Sequence, residues 1–269
     1  PPVESTCASE INADIILNYL RNDIKDRMAR GHKAPKYLFL SYSKGAADTL
    51  AAFAKSPAFA SQYVKGMVSI ASGLHGSPIL NTTDLPYALV AALSEHQGPA
   101  ICQTQKPASK SITQTAMESF WRKNERALTG LTRYFSITFS SDPEDSHIFM
   151  KAAKLIAQFD EDNDGVVPVS STRFPSKMMA LDMGTIHADH LAGVLSSRFN
   201  QKAFMKGLVN ALAEVNIDDD ANNLAWNTQV ILQNANQHML ADKTYFRAGQ
   251  PNLVQEYSAN GNEIGRAHV

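Results

Sequence analysis

Cysteine is scarce in this chain. Only Cys7 and Cys102 occur among 269 residues, too few and too far apart in sequence for a disulfide framework or a four-ligand zinc site, so they read as two ordinary thiols. An excess of one charge is also missing. The 25 Lys and Arg residues nearly balance 26 Asp and Glu residues, and no basic cluster stands out, which excludes the strong field that nucleic acid or an anionic membrane surface requires. No apolar run approaches the roughly 18 residues of a membrane span. The opening PPVESTCASE has neither the basic nor the apolar region of a signal peptide. What is present is a 44% hydrophobic, 19% charged composition, enough to bury one large core or two small ones.

The apolar pattern alternates short strands with longer helices. Ile11, Ile15, Leu17, Leu20 and Ile24 define a helix over residues 9–29,. Strands are expected at 37–40, 64–71, 136–139 and 178–181, and helices at 46–55, 145–159 and 201–215. Strands separated by helices of ten or more residues imply βα units and a mostly parallel sheet, hence an α/β fold. Residues 80–133 interrupt this rhythm with a helical, polar-rich stretch too long for a simple loop, and read as an inserted lid or cap.

One corner carries the chemistry. The run YLFL stops at Ser41-Tyr42-Ser43-Lys44-Gly45 and an alanine-rich helix begins at once. A strand-turn-helix of the form small-x-Ser-x-small holds its serine on a strained backbone with Oγ projecting beyond the sheet, the small flanks letting strand and helix approach. Ser41 replaces the usual first glycine and Gly45 keeps the second. Ser43 equally fits an ordinary helix N-cap, and the pentapeptide alone leaves both readings open. A nucleophile also needs a base and an orienting acid. DEDNDGVVP at 160–168 and TIHADHLAG at 185–193 supply them in the order Ser, acid, His.

With those loops in view, the sequence resembles the α/β-hydrolase superfamily, in particular bacterial lipase- or esterase-like members. SYSKGAADTL carries the elbow, VKGMVSIASGLHGSP the next strand and loop, NDGVVPVSS the acid turn and ADHLAG the histidine loop. The resemblance implies an α/β-hydrolase fold, a mostly parallel central sheet flanked by helices with a helical lid. It implies Ser43 as nucleophile, Asp164 as acid, His190 as base and the Lys44 backbone N–H as one oxyanion donor, with no cofactor and no metal. The implied partner is a small-molecule or lipid ester, and the implied reaction is ester hydrolysis through an acyl-enzyme. Acyl transfer from the same intermediate, and a noncatalytic hydrolase-like or calcium-binding module, remain as alternatives.

Rival readings attach to several residues. Asp160, Asp162, Asp164 and Gly165 match the first half of an EF-hand loop, but Ser171 and Pro168 stand where the second half needs ligands,. His187 competes with His190 as base, His190 being favoured by its ADHL context and by Asp189 as loop anchor, while His75 lines the cleft or satisfies its loop. Phe120 and Trp121 serve either a lid face or the core. The resulting partition is 1–79 for the nucleophile-bearing part, 80–133 for the lid, 134–215 for the acid- and histidine-bearing part, and 216–263 for an extension to which the sequence assigns no organisation. Residues 264–269 match a translated sequencing-adapter string and are set aside from the fold. In this fold the second oxyanion donor comes from a loop early in the chain, and the sequence before Ser43 offers none. The chain is therefore expected to be a fragment, poorly soluble or weakly active alone.

Overall fold

The computed structural model describes residues 1–4, 6–81, 111–157, 159–193, 199–214, 246–247, 253–257 and 263–268. They form two compact units, Pro1–Tyr134 with Ser170–Ala180, and Phe135–Val169 with Leu181–Val269.

In the first unit, helix α1 (Ser9–Ala29) turns Ala13, Ile16, Leu17, Leu20 and Ile24 inward, a stripe at the three- and four-residue spacing of a helix. Strand β1 (Tyr37–Tyr42) runs into helix α2 (Gly45–Lys55), whose Ala46, Leu50 and Phe53 are buried. A short helix α3 (Pro57–Tyr63) follows. The sequence reading passed over it, although Pro57 in its first turn is the favoured place for a residue without an N–H. Strand β2 (Val64–Ile70) then pairs parallel to β1, with Phe39 opposite Met67 and Tyr42 opposite Ile70. Helix α4 (Gln114–Leu128) opens at Thr113, whose hydroxyl accepts the Ala116 N–H at 3.1 Å,. Its Met117, Trp121 and Leu128 join Leu17, Leu20, Leu50, Phe53, Phe174 and Met178 in one core. Trp121 is a core residue, its indole N–H donating to the Leu74 carbonyl at 2.6 Å, and Phe120 packs against the same cluster. Of the stretch read as a lid, residues 82–110 lie outside the described residues.

The second unit holds strand β3 (Arg133–Ser140) from Phe135 onward, helix α5 (Ile148–Ala157), strand β4 (Leu181–His187) and helix α6 (Gln201–Glu214). β3 and β4 pair parallel, from Phe135 opposite Leu181 to Ser140 opposite His187. Phe139 packs on Phe204 of α6 with ring centroids 5.9 Å apart. Three further strands continue antiparallel from β4. They are β5 (Phe246–Arg247), β6 (Leu253–Tyr257) and β7 (Glu263–His268), the last containing most of the residues set aside above. Residues 215–245, much of the expected extension, lie outside the described residues.

Two expectations are corrected. The strand placed at 178–181 begins at Leu181 and runs to His187. Pro175 starts a 3-10 turn over Ser176–Met178, and Met179 takes a φ of 53°, so the apolar run MMAL cannot extend as a strand from its first residue. Cys7 is no free thiol. It is fully buried and disulfide-bonded, because separation along the sequence sets no limit on approach in a folded chain. Cys102, the other cysteine of the sequence, lies outside the described residues.

Candidate active site

The elbow lies wholly in the first unit. Ser43 sits between β1 and α2 with a φ of 51°, a left-handed conformation that costs an L-residue roughly 1–2 kcal/mol. Its N–H donates to the Ile70 carbonyl at 2.9 Å and its carbonyl accepts the Ala46 N–H at 3.1 Å, so the corner is fastened on both sides. The N-cap position of α2 falls to Lys44, with no side-chain cap, and the capping account of Ser43 lapses. Ser41 fits the first small position because its buried hydroxyl has a partner, Thr49 Oγ1 at 2.9 Å, which itself donates to the Gly45 carbonyl. Gly45 is not needed for close approach: a Cβ there would meet nothing within 4 Å. The Lys44 side chain turns down onto Asp48, with Nζ 2.7 Å from both carboxylate oxygens, and Asn12 Nδ2 donates to Asp48 at 2.8 Å. Burial pulls the Lys44 ammonium below the ordinary lysine range, and Asp48 partly restores it.

The second unit brings Asp164 and His190 together. Asp164 is fully buried and His190 nearly so, and Asp164 Oδ2 lies 2.7 Å from His190 Nδ1. Asp164 Oδ1 accepts the N–H groups of Val166 and Val167 at 2.9 and 2.7 Å. A backbone bond from the His190 N–H to the Asp164 carbonyl, at 2.7 Å, joins the two loops a second time. With Asp164 ionised, Nδ1 carries the proton of that contact and the imidazole lone pair is on Nε2, the tautomer a general base needs. Gly165 allows the turn: it has a φ of 98°, and a Cβ there would lie 3.0 Å from Met150 Cβ. Asp189 holds the histidine loop by accepting the N–H groups of His147 and Leu191.

The remaining candidates have other partners. His187 ends β4 with Nε2 3.1 Å from Asp145 Oδ2, and its Nδ1 is buried without a partner. His75 is exposed, its N–H held by the Ser171 carbonyl at 3.1 Å. The EF-hand reading loses its third ligand, since both Asp164 oxygens are engaged, while Asp160 and Asp162 are exposed. Among the described residues, the side chains that could share a cation are Asp142, Asp145 and His187, with ligand atoms within 4.8 Å of one another. The sequence reading missed Lys154 and Asn163, which support the acid turn. The signal available was a lysine inside the apolar helix IFMKAAKLIA.

No protein-family model and no curated protein matches the sequence. Solved structures do. The mature form of Bacillus licheniformis lipase BlEst2 aligns with a TM-score of 0.53 at 19% identity, over 70% of this chain and 69% of that one. Its propeptide form gives 0.52 at 20%, over 75% of this chain and 41% of that one. The metagenomic carboxyl esterase MGS0156 gives 0.57 at 22%, over 88% of this chain and 63% of that one. The fold is that of the α/β-hydrolases. Among the described residues no helix is long and apolar enough to cross a membrane.

Proposed function

We propose that the chain is a serine hydrolase of carboxylic esters, acting on small-molecule or lipid esters through Ser43, Asp164 and His190. The observation that carries this reading is the buried Asp164–His190 contact at 2.7 Å. Both carboxylate oxygens are engaged, so the acid cannot easily turn away from the ring. The strained backbone of Ser43 supports it, because strain of this kind, held by the surrounding structure, clusters at active sites,. So does the likeness to a lipase and a carboxyl esterase.

In this mechanism Ser43 Oγ attacks the ester carbonyl while His190 Nε2 takes its proton, and Asp164 stabilises the imidazolium. The Lys44 N–H donates to the oxyanion. His190 returns the proton to the leaving alcohol, and a water activated by the same imidazole releases the acid from Ser43. The test is turnover of a short p-nitrophenyl ester together with labelling by an organophosphonate. Ser43→Ala and His190→Ala should lose activity by about 10⁴-fold or more, and label should appear on Ser43 alone. His187→Ala should keep most of the activity. Undiminished turnover in Ser43→Ala, or loss in His187→Ala with retention in His190→Ala, rejects the assignment.

A further inference from the structure

Helix α5 is inverted in polarity at one place. Ile148, Phe149 and Leu155 point outward, 72%, 51% and 67% exposed, while Lys154 is turned inward with Met150 and Ala153. Burying an ammonium costs several kcal/mol unless oxygens replace its water, and a leucine would be the ordinary occupant. The surroundings of the amine explain the exception. Lys154 Nζ donates to the Ser141 carbonyl at 2.7 Å, to the Asn163 carbonyl at 2.6 Å and to Asn163 Oδ1 at 3.0 Å. Three acceptors use all three protons of an ammonium, whereas a neutral amine has only two. The partners are amide oxygens, so the lysine acts here as a clamp on backbone and carboxamide.

The clamped atoms flank the acid. Asn163 immediately precedes Asp164, and its Oδ1, besides accepting from Lys154, accepts the Gly165 N–H at 3.0 Å. Ser141 follows β3 and donates its N–H to the Asn163 carbonyl at 3.2 Å, so Lys154 closes a ring through both loops. We propose that Lys154 is a positioning residue for the catalytic acid, fixing the Asn163-Asp164-Gly165 turn against the end of β3 so that Asp164 Oδ2 stays aligned with His190 Nδ1. This rests on the hydrolase reading for its kinetic consequence. The geometric claim concerns the Asp164–His190 contact itself. Four carboxylates, Asp164, Asp142, Asp189 and Asp162, act on the ammonium and favour it, against the burial that pulls its pKa down.

The test compares Lys154→Met, close in length but without donors, with Lys154→Arg, in the full chain. Three readouts are needed: kcat and KM on a p-nitrophenyl ester, the downfield proton resonance of the Asp164–His190 hydrogen bond, and the thermal unfolding transition. Lys154→Met should remain folded and lose kcat by about 10- to 100-fold, since a small misplacement of a catalytic group costs up to about that much. KM should change little, and the downfield resonance should broaden or vanish. Lys154→Arg should recover most of kcat and the resonance. A folded Lys154→Met with unchanged kcat and an intact resonance overturns the proposal. If Lys154→Met does not fold, Asn163→Ala serves instead, because it removes the Oδ1 shared by Lys154 and Gly165 while keeping the backbone carbonyl. It should show the same loss of kcat and resonance, and an unperturbed variant overturns the proposal equally. Should turnover prove independent of Ser43, the hydrolase reading fails on its own, and the resonance alone decides whether Lys154 positions Asp164.

Discussion

Ser43 shows what a single residue gives up for its place. An alanine there keeps the left-handed φ of 51° and its strain of roughly 1–2 kcal/mol. A glycine relieves that strain and gives back roughly 0.5–1 kcal/mol through the greater freedom of its unfolded chain. Both substitutions remove the hydroxyl, so their difference isolates the backbone. Ser43→Gly should therefore be at least as stable as Ser43→Ala, by up to about 1.5 kcal/mol in urea unfolding, while neither turns over ester. A Ser43→Ala variant clearly more stable than Ser43→Gly would mean that the strain is absent in solution. The neighbouring Ser41 departs from the glycine expected of such an elbow, yet its hydroxyl is paired with Thr49, and sequence alone could not foresee that the departure is accommodated.

At the level of turns, two glycines that the sequence marked out behave in opposite ways. Gly45 has open space around a would-be Cβ and begins a helix, so Gly45→Ala should be neutral or stabilising by up to about 1 kcal/mol. Gly165 combines a φ of 98° with Met150 Cβ at 3.0 Å. Gly165→Ala adds left-handed strain to overpacking of about 1–3 kcal/mol and should lose about 2–4 kcal/mol in chemical unfolding. Equal stability of the two variants would refute this contrast. Most elements were legible because their apolar spacing is regular, as in α1, β1, α2 and β2. β4 was misplaced because only Met183 and Ile186 of LDMGTIH are buried, too sparse a signal for strand alternation. The acid and histidine loops were legible as motifs, but their support was not. Lys154 reads as a solvated helix residue until the oxygens around it are known.

For the whole molecule, the chain order Ser, Asp, His distributes the proposed chemistry over two units: the elbow belongs to the first, and the Asp164–His190 pair to the second. Local pattern finds each half. It finds nothing of the disulfide at Cys7, because two lone cysteines carry no spacing motif, and the expectation of free thiols failed there. A disulfide stabilises chiefly by restricting the unfolded chain, typically by about 2–4 kcal/mol. Reduction should therefore lower the unfolding free energy by about that much, and the urea midpoint with it, while leaving the proposed ester turnover little changed in the absence of denaturant. Because the reduced unfolded chain can expand further and expose more surface, the dependence of unfolding free energy on urea should also steepen. Cys7→Ala should reproduce both effects, with an added loss for the atoms removed from a fully buried site,. A reduced protein with an unchanged midpoint and slope would show that the cross-link restricts nothing that folding must otherwise order, and the entropic account of Cys7 would have to be given up.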